Sequence, residues 1–287
     1  MPYSSDDDFD LSIAQVIKKY GLLDDRKRAK SLGQHFLCDM SLLEKIVSCA
    51  LPFGDCDIIE IGAGPGGLTR AIMKHAGDRS IFCLEKDTSP SLQALHNNMQ
   101  QHSDVKLHFV YENALHIKPQ RLTDKHITII SNLPYNVGTQ ILLNLLHDLS
   151  RIDKLVLMFQ KEVANRICAN PGTKDYGRLS VISQLLCKVE KLFDVSNTAF
   201  FPPPQVASTV VKMTPLGVTM DLPRLEQLTA LCFQHRRKTI FSSLRREFSA
   251  VAEIALAECG IDKMERPEDV PPTKFLELSM RLNNAKL

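Results

Sequence analysis

Short blocks of apolar residues alternate with longer amphipathic segments over most of the chain. The blocks have the length of buried strands and are bounded by Gly, Pro, Asn or Asp, and they occupy residues 58–61, 81–84, 105–110, 127–130 and 155–159. Between them, apolar residues recur at the spacing of a helix face over residues 68–75, 91–101 and 139–149. This alternation predicts an α/β fold with a doubly wound, mainly parallel sheet and helices on both of its faces.

The pattern changes after the fifth block. Two further apolar blocks, residues 191–195 and 209–213, flank a proline-rich turn, which predicts an antiparallel pair that completes the sheet edge. Beyond Pro215 only helical spacing remains, over residues 225–233, 240–248, 251–259 and 274–282. We therefore predict three parts, which are a loosely attached N-terminal extension (1–29), an α/β domain (30–215) and a small all-helical domain (216–287).

Composition narrows the class of protein. The chain has 287 residues, of which 44% are hydrophobic, and this is enough for one full core and a smaller second domain. Its net charge is only +2, so a nucleic-acid surface must come from a local cluster of basic side chains. No run of about 18 apolar residues is present, which argues against a membrane-spanning helix. Because the eight cysteines are scattered singly and the N-terminus is acidic, we expect a cytoplasmic protein with reduced thiols and no metal site.

A glycine-rich turn follows the first predicted strand. Gly62, Gly64 and Gly67 let the backbone turn sharply and let a nucleoside cofactor approach it closely. The same spacing also satisfies a dinucleotide fingerprint, and it fits a tight strand-to-helix turn that binds no ligand. The turn by itself therefore leaves the cofactor open.

Polar residues close the next two predicted strands. Glu85 ends the second strand, where a carboxylate can accept hydrogen bonds from the ribose hydroxyls of a nucleoside; its alternative role is a solvated charge at a strand end. Asn113 follows the third strand, where its side-chain oxygen can bind an adenine amine; its alternative role is to form the turn. Together with the glycine turn, these residues favour a nucleoside-binding edge of the sheet.

The fourth predicted strand ends in Ser-Asn-Leu-Pro-Tyr-Asn, residues 131–136. An adenine amine is a poor nucleophile because its nitrogen lone pair is delocalised into the ring. If the side-chain oxygen of Asn132 and a main-chain carbonyl near Leu133 both accept hydrogen bonds from the amine, the lone pair can turn toward a methyl donor. Pro134 restrains the backbone, and Tyr135 offers an aromatic face to a base taken out of its stack. The alternative is an ordinary strand-ending turn.

With these motifs in order, the chain resembles the KsgA-type ribosomal RNA adenine dimethyltransferases. The resemblance runs from about Lys30 to the C-terminus and rests on three anchors, residues 31–37, 60–66 and 132–136. It implies that the α/β domain has the Rossmann-like sheet of class I methyltransferases, binds S-adenosylmethionine and contains the catalytic residues. The cofactor residues that it implies are His35, Leu37, Gly62, Gly64, Glu85, Asn113 and Asn132.

The chain departs from the family pattern at three positions. The family usually has Asn at the position of His35, Asp at that of Asn113 and a basic residue at that of Gln205. The second change removes a charge from the expected adenine contact. The resemblance also implies that Phe200 faces Tyr135 across a flipped base; its alternative role is core packing.

Positive charge is concentrated near the start of the predicted helical domain. On a helix, Lys238 and Arg245 are seven residues apart and share a face, which suits the phosphates of folded RNA, although such charge is usually only a solvated face. The candidate RNA-binding residues are Arg236, Arg237, Lys238, Arg245 and Arg246. The resemblance implies that the partner is small-subunit ribosomal RNA in a partly assembled subunit, where two neighbouring adenosines near the end of the RNA are each methylated twice. We expect the protein to act as a monomer.

Three other functions compete with this interpretation. A nicotinamide-dependent oxidoreductase could use the glycine turn but has no need of Asn-Leu-Pro-Tyr. An Erm-type antibiotic-resistance dimethyltransferase, which acts on large-subunit RNA, has the same fold and motif and is disfavoured only by the C-terminal match. A non-catalytic ribosome-assembly factor on this fold would not need Asn132, Pro134 and Tyr135 together.

Overall fold

The structure is a computed structural model that describes residues 8–25, 27–28, 32–235 and 238–283. The chain divides into two units. The first comprises the described residues up to Ala164 together with Lys191–Thr214, and the second comprises Asn165–Glu190 together with the described residues from Pro215 onward. The sequence predicted one continuous domain over residues 30–215, whereas the structure groups the internal segment with the C-terminal helices. The segment is held there by backbone contacts such as Gly172 N–H to Glu268 O at 2.7 Å.

The first unit is built on a mixed sheet. Its helices and strands in chain order are α1 (Ile13–Lys19), β1 (Phe36–Leu37), α2 (Met40–Ser48), β2 (Cys56–Ile61), α3 (Gly67–Ala76), β3 (Ser80–Glu85), α4 (Pro90–Gln101), β4 (Lys106–Tyr111), β5 (His126–Asn132), α5 (Gly138–Leu146), β6 (Ile152–Gln160), β7 (Cys187–Val195), β8 (Phe200–Phe201) and β9 (Ser208–Pro215). Seven strands form the sheet in the order β4-β3-β2-β5-β6-β9-β7. The pairs from β4 to β6 are parallel, and β9 is antiparallel to β6. The predicted doubly wound α/β fold is confirmed, with its elements close to their expected bounds.

The order of the strands determines where the helices lie. All six residues of β2 are buried, as expected for a central strand covered on both faces. The order reverses at β2, since β3 and β4 lie on one side of it and β5 and β6 on the other. Because parallel crossovers are right-handed, α3 and α4 cover one face of the sheet and α5 the other. The carboxyl ends of β2 and β5 therefore border a crevice, the usual ligand site of such sheets.

The sheet edge and a short ribbon complete the first unit. Leu216 N–H donates to Leu186 O at 2.9 Å, and Thr209 Oγ1 donates to Asp194 Oδ1 at 2.7 Å. From the first contact to the second, the residue number rises along β7 and falls along β9. The two strands are therefore antiparallel, and the predicted edge pair is confirmed. The ribbon of β1 and β8 was not predicted, because two-residue strands carry no periodic signal; it pairs residues from distant parts of the chain.

The second unit consists mainly of helices among its described residues, and it also includes residues 187–190 of β7. Its helices are α6 (Lys161–Cys168), which begins in the first unit, α7 (Arg178–Leu186), α8 (Leu222–Phe233), α9 (Ile240–Glu258) and α10 (Pro272–Asn283). The sequence predicted two helices over residues 240–248 and 251–259, and these are the two arms of α9, which bends at Ser249, where φ is +48°. Aromatic rings of Tyr176, Phe233 and Phe275 pack together in the core. No helix in the described part of the chain has the length and apolar character needed to span a bilayer.

The N-terminal segment is not loosely attached, and this expectation was wrong for residues 8–25. In α1 the side chains of Ile13, Val16 and Ile17 are at most 3% exposed and belong to the same core cluster as β2 and β3. Asp8, in the acidic N-terminal segment, is fully buried and accepts hydrogen bonds from Tyr20 Oη (2.5 Å) and Lys19 Nζ (2.9 Å). The segment therefore forms part of the fold of the first unit.

One carboxyl group lies deep in the core. Glu60 on β2 is 1% exposed, and Thr69 Oγ1 on α3 donates to it at 2.6 Å. Burial raises the pKa of Glu60 from 4.5 to about 8, and the charge of nearby Glu85 acts in the same direction. Glu60 is therefore protonated in the folded protein at neutral pH, with Cys83 as its other polar neighbour.

We predict that Ile13→Ala lowers the free energy of unfolding by about 2–5 kcal/mol, because it removes a buried side chain and leaves a cavity. Chemical denaturation measures the change. The exposed neighbour Lys18 is the matched control, and Lys18→Ala should change stability by no more than about 0.5 kcal/mol. Equal stability of the two variants would show that the segment does not contribute to the core.

The buried acid predicts a pH dependence of stability. Between about pH 4.5 and about pH 8 the unfolded chain releases the Glu60 proton that the folded chain retains, so stability falls as pH rises. Glu60→Gln keeps an acceptor for Thr69 and cannot titrate, so its free energy of unfolding should fall less steeply over this range. Denaturation curves at a series of pH values test this against Glu265→Gln, an exposed control. Parallel pH profiles for wild type and Glu60→Gln would contradict the prediction.

Candidate active site

A cleft lies at the carboxyl ends of the parallel strands in the first unit. The empty space within it, including the part open to solvent, is about 750 Å³. Its lining residues come from the segment before β1 and from the loops after β2, β3, β4 and β5, and they are Leu32, Gly33, Gln34, His35, Phe36, Gly62, Gly64, Glu85, Lys86, Asn113, Asn132, Leu133, Pro134, Tyr135, Asn136 and Val137. Most of the predicted cofactor residues and the Asn-Leu-Pro-Tyr motif thus line one cavity.

Two glycines in the turn after β2 are required for different reasons. Gly64 has φ +49°, and a Cβ there would lie 2.9 Å from Cε1 of Phe36, so both conformation and space require glycine. Gly62 has φ +79° but a Cβ would meet nothing closer than 3.9 Å, so only its backbone conformation requires glycine. The Gly62 N–H donates to Leu84 O at 2.7 Å, which connects the turn to β3.

Glu85 is a buried carboxylate at the end of β3. It is 8% exposed, and its oxygens accept hydrogen bonds from Gly64 N–H at 2.9 Å and Asp87 N–H at 2.8 Å. Burial raises the pKa of Glu85, while these N–H groups act to lower it. The carboxylate therefore holds the glycine turn and also lines the cleft, so it is not a solvated strand-end charge.

Asn113 lines the cleft after β4 and also shapes its own turn. Its side-chain Oδ1 accepts from Leu115 N–H at 3.1 Å, and its main-chain oxygen accepts from His116 N–H at 2.8 Å. The turn-forming role is therefore present. Because the carboxamide also has an amino group, Asn113 has a donor in addition to the acceptor that the turn uses.

Asn132 has a defined side-chain orientation at the end of β5. Its Nδ2 donates to the main-chain oxygen of His35 at 3.3 Å. A carbonyl oxygen can only accept, so this contact identifies the amide nitrogen and directs the Oδ1 atom away from His35. The preceding residue, Ser131, donates from Oγ to Ile61 O at 2.6 Å, which joins the ends of β5 and β2. The carboxamide is thus oriented by the backbone of residue 35, and the strand end that carries it is joined to β2.

The side chains of Tyr135 and His35 form one wall of the cleft. Their rings stack with centroids 5.4 Å apart and planes inclined by 27°. The Tyr135 hydroxyl is 2.5 Å from Ser208 Oγ, and burial raises the pKa of Tyr135, so the phenol stays protonated at neutral pH. The His35 Nδ1 lies 2.8 Å from the Pro202 carbonyl oxygen and carries the proton of that hydrogen bond. The ring of His35 therefore connects the motif to the loop after β8.

Two predicted site residues do not line the cleft in the described part of the chain. Leu37 and Phe200 are each 4% exposed, pair across the ribbon and belong to the core cluster. In this arrangement Phe200 has the core-packing role that was weighed as its alternative. Its neighbour Phe201 is 51% exposed.

The predicted RNA-binding residues lie in the second unit. Arg236 and Arg237 fall outside the described residues. Lys238 precedes Thr239, the N-cap of α9, so it is not on that helix, and the argument that it shares a helix face with Arg245 was wrong. Arg245 and Arg246 are exposed on α9, and neither forms an ion pair within the segments that the structure describes.

Sequence analysis missed three polar residues at the cleft or directly behind it. Gln34 donates from Nε2 to Asp87 Oδ2 at 3.0 Å, and its Oε1 is buried without a hydrogen-bond partner among the described residues. Asp87 is 5% exposed, and its position two residues after Glu85 was the available signal. His96 is fully buried on α4, and its position on the apolar face that carries Leu92 and Met99 marked it as a core histidine.

Comparisons with known proteins show which proteins this chain is similar to. The curated "Ribosomal RNA small subunit methyltransferase A" of Rhodospirillum rubrum is 40% identical over 276 residues, which is 95% of this chain and 93% of the relative. A crystal structure of a dimethyladenosine transferase from Plasmodium falciparum has a TM-score of 0.73 at 23% identity, covering 88% of this chain and 99% of that one. A crystal structure of the 23S rRNA methyltransferase ErmE has a TM-score of 0.64 at 26% identity, and the match covers 86% of this chain and 99% of that one.

A family model described as "Ribosomal RNA adenine dimethylase" matches residues 25–284. The match includes the glycine turn, the Asn-Leu-Pro-Tyr motif and the helices of the second unit. The chain therefore belongs to the ribosomal RNA adenine dimethylase family, whose enzymes methylate adenine with S-adenosylmethionine as cofactor.

Proposed function

We propose that the protein dimethylates the N6 amines of two adjacent adenosines near the 3′ end of small-subunit ribosomal RNA. The orientation of Asn132 carries this proposal, because its Oδ1 is left to accept a hydrogen bond from an amine in the cleft. The choice of the small subunit is supported by the relative at 40% identity, which bears that substrate in its name.

The residues at the cleft fit S-adenosylmethionine, which supplies an electrophilic methyl group on a sulfonium. The carboxylate oxygens of Glu85 accept the backbone N–H groups of Gly64 and Asp87 and keep acceptor capacity for a ribose hydroxyl. The unpartnered Oε1 of Gln34 suits an ammonium group such as that of the methionine end. Gly62 and Gly64 give the cofactor close access to the backbone. We keep His35, Leu37 and Asn113 as further cofactor residues on the strength of the family resemblance.

The chain acts on the target amine by holding it. The Oδ1 of Asn132 and the main-chain oxygen of Leu133 accept its two N–H bonds, which turns the nitrogen lone pair out of the plane of the base. Leu133 is 1% exposed but lines the cleft, so it contributes chiefly its backbone there. Pro134 restricts the conformation of this turn. No strong base is needed, because in each transfer the nitrogen loses one proton to solvent after the new N–C bond has formed, when the nitrogen is positively charged and acidic.

The base itself rests on Tyr135. A phenol ring at the cleft wall offers a stacking surface for a flipped adenine, and its hydroxyl contact with Ser208 holds the ring in place. The family resemblance assigns the opposite aromatic to Phe200, which would have to leave its core position to reach the base.

Basic residues of the second unit bind the RNA backbone in this proposal. The exposed cations Lys238, Arg245 and Arg246 support it, and Arg236 and Arg237 extend the same stretch of sequence. Such contacts recognise the shape and charge of folded RNA. We propose that the monomeric enzyme acts in the cytoplasm, on a partly assembled small subunit.

The same cleft would serve a dimethyltransferase of large-subunit RNA, and the similarity to ErmE is the observation in favour of that alternative. The labelling experiment described next distinguishes the two RNA substrates.

We predict that purified protein transfers labelled methyl groups to small subunits from cells that lack the modification, and that digestion yields dimethyladenosine. Asn132→Ala should reduce transfer by at least about 100-fold while subunit binding persists, because it removes an acceptor that acts on the reacting amine. Asn170→Ala, which changes an exposed asparagine, is the matched control. Labelling of large subunits instead would refute the substrate assignment, and full turnover of Asn132→Ala would refute the role of that side chain.

We further predict that replacing Lys238, Arg245 and Arg246 by Gln weakens subunit binding and flattens its salt dependence, by about one unit of slope for each phosphate that no longer binds a cation. Filter binding over a range of salt concentrations measures both. Replacing the exposed residues Lys106, Lys118 and Lys125 by Gln changes the net charge equally and is the control. If the two triple variants bind alike, the RNA docks elsewhere.

A further inference from the structure

His96 is a buried polar residue that the proposed reaction does not use. It lies on α4 with 0% exposure, behind the glycine turn. Its ring stacks on Phe109 with centroids 3.9 Å apart and planes inclined by only 8°. An imidazole that only filled space here would be replaced at little cost by an apolar ring, so its polar contacts need an explanation.

Both ring nitrogens of His96 are hydrogen bonded. The Nε2 lies 2.8 Å from the main-chain oxygen of Gly64, and the Nδ1 lies 3.0 Å from the Tyr111 hydroxyl. A carbonyl oxygen can only accept, so Nε2 carries the proton and Nδ1 accepts from Tyr111. Burial lowers the pKa of His96 to about 4, so the ring is neutral and keeps this tautomer at neutral pH.

Together with two other contacts, the hydrogen bond from His96 fixes the position of Gly64. Its N–H donates to Glu85 Oε2 at 2.9 Å, its carbonyl accepts from His96 at 2.8 Å, and the ring of Phe36 occupies the place of a side chain. The remaining partner, Tyr111, ends β4 two residues before Asn113. A single chain of hydrogen bonds thus joins the ends of β2, β3 and β4.

We propose that His96 is a positioning residue for the cofactor. Its ring sets the position of the Gly64 peptide, and through Gly64 that of the Glu85 carboxylate, while it ties both to the strand end that precedes Asn113. This inference rests on the proposal that these three residues hold S-adenosylmethionine. It assigns a role in cofactor affinity to a side chain that never touches the cofactor.

The test measures binding of S-adenosylhomocysteine by calorimetry, together with the KM for each substrate. His96→Leu leaves the Gly64 oxygen without its donor, so we expect about tenfold weaker binding and a similar rise in the cofactor KM. The KM for the ribosomal subunit and kcat at saturating cofactor should stay near wild type. His96→Gln retains a donor that can reach Gly64 and should recover most of the affinity.

His102 provides the matched control, because it is an exposed histidine at the end of the same helix, and His102→Leu should bind as wild type does. Tyr111→Phe removes only the hydroxyl that donates to His96 and should weaken binding of S-adenosylhomocysteine about threefold. If His96→Leu does not fold, this variant tests the proposal. The proposal is overturned if the folded His96→Leu and Tyr111→Phe variants both bind as wild type does. It is also overturned if His96→Leu raises both KM values together, as a general loss of structure would.

Failure of the inference can be told apart from failure of the proposed function. If Glu85→Ala abolishes binding of S-adenosylhomocysteine while the His96 variants do not alter it, the cofactor site stands and only the role of His96 is wrong. If the wild-type protein does not bind S-adenosylhomocysteine, the proposed cofactor site itself is wrong.

Discussion

The carboxylate of Glu85 is the group around which the cleft is arranged. A buried carboxylate without partners costs several kcal/mol, and here the backbone N–H groups of Gly64 and Asp87 reach its two oxygens. The same bonds hold the glycine turn against the end of β3. The backbone of Gly64, which has a positive φ, is held by this carboxylate at its N–H and by His96 at its carbonyl oxygen.

The other wall of the cleft comes from the N-terminal part of the chain. The main-chain oxygen of His35 orients Asn132, and Gln34 binds Asp87 beside Glu85. Farther upstream, the main-chain oxygen of Leu11 accepts a hydrogen bond from Arg70 on α3, the helix that the glycine turn begins. The segment that was predicted to be loosely attached therefore supports the glycine turn as well as the core.

The departures from the family pattern are easier to understand from these contacts. Asn132 is oriented by the main-chain oxygen of residue 35, which every residue type has, so His in place of Asn preserves that contact. The His35 ring in addition hydrogen bonds to the Pro202 carbonyl oxygen. At position 113, the side-chain oxygen that caps the turn is present in Asn as it is in Asp. What changes is the charge facing the cleft, and with it the expected strength of the adenine contact.

The sequence by itself determined the parallel sheet, the glycine turn, Glu85 and the Asn-Leu-Pro-Tyr motif, because strand blocks, helix periodicity and strand-end residues are local patterns. It also placed the proposed catalytic residues 132–135 at the same edge as the glycine turn, since parallel strands end on the same side. Only the tertiary structure decided the ribbon of β1 and β8, the burial of Phe200, the place of residues 165–190 and the core role of α1. It likewise revealed His96 as the partner of Gly64. Each of these depends on contacts between residues far apart in the chain, which no local periodicity encodes.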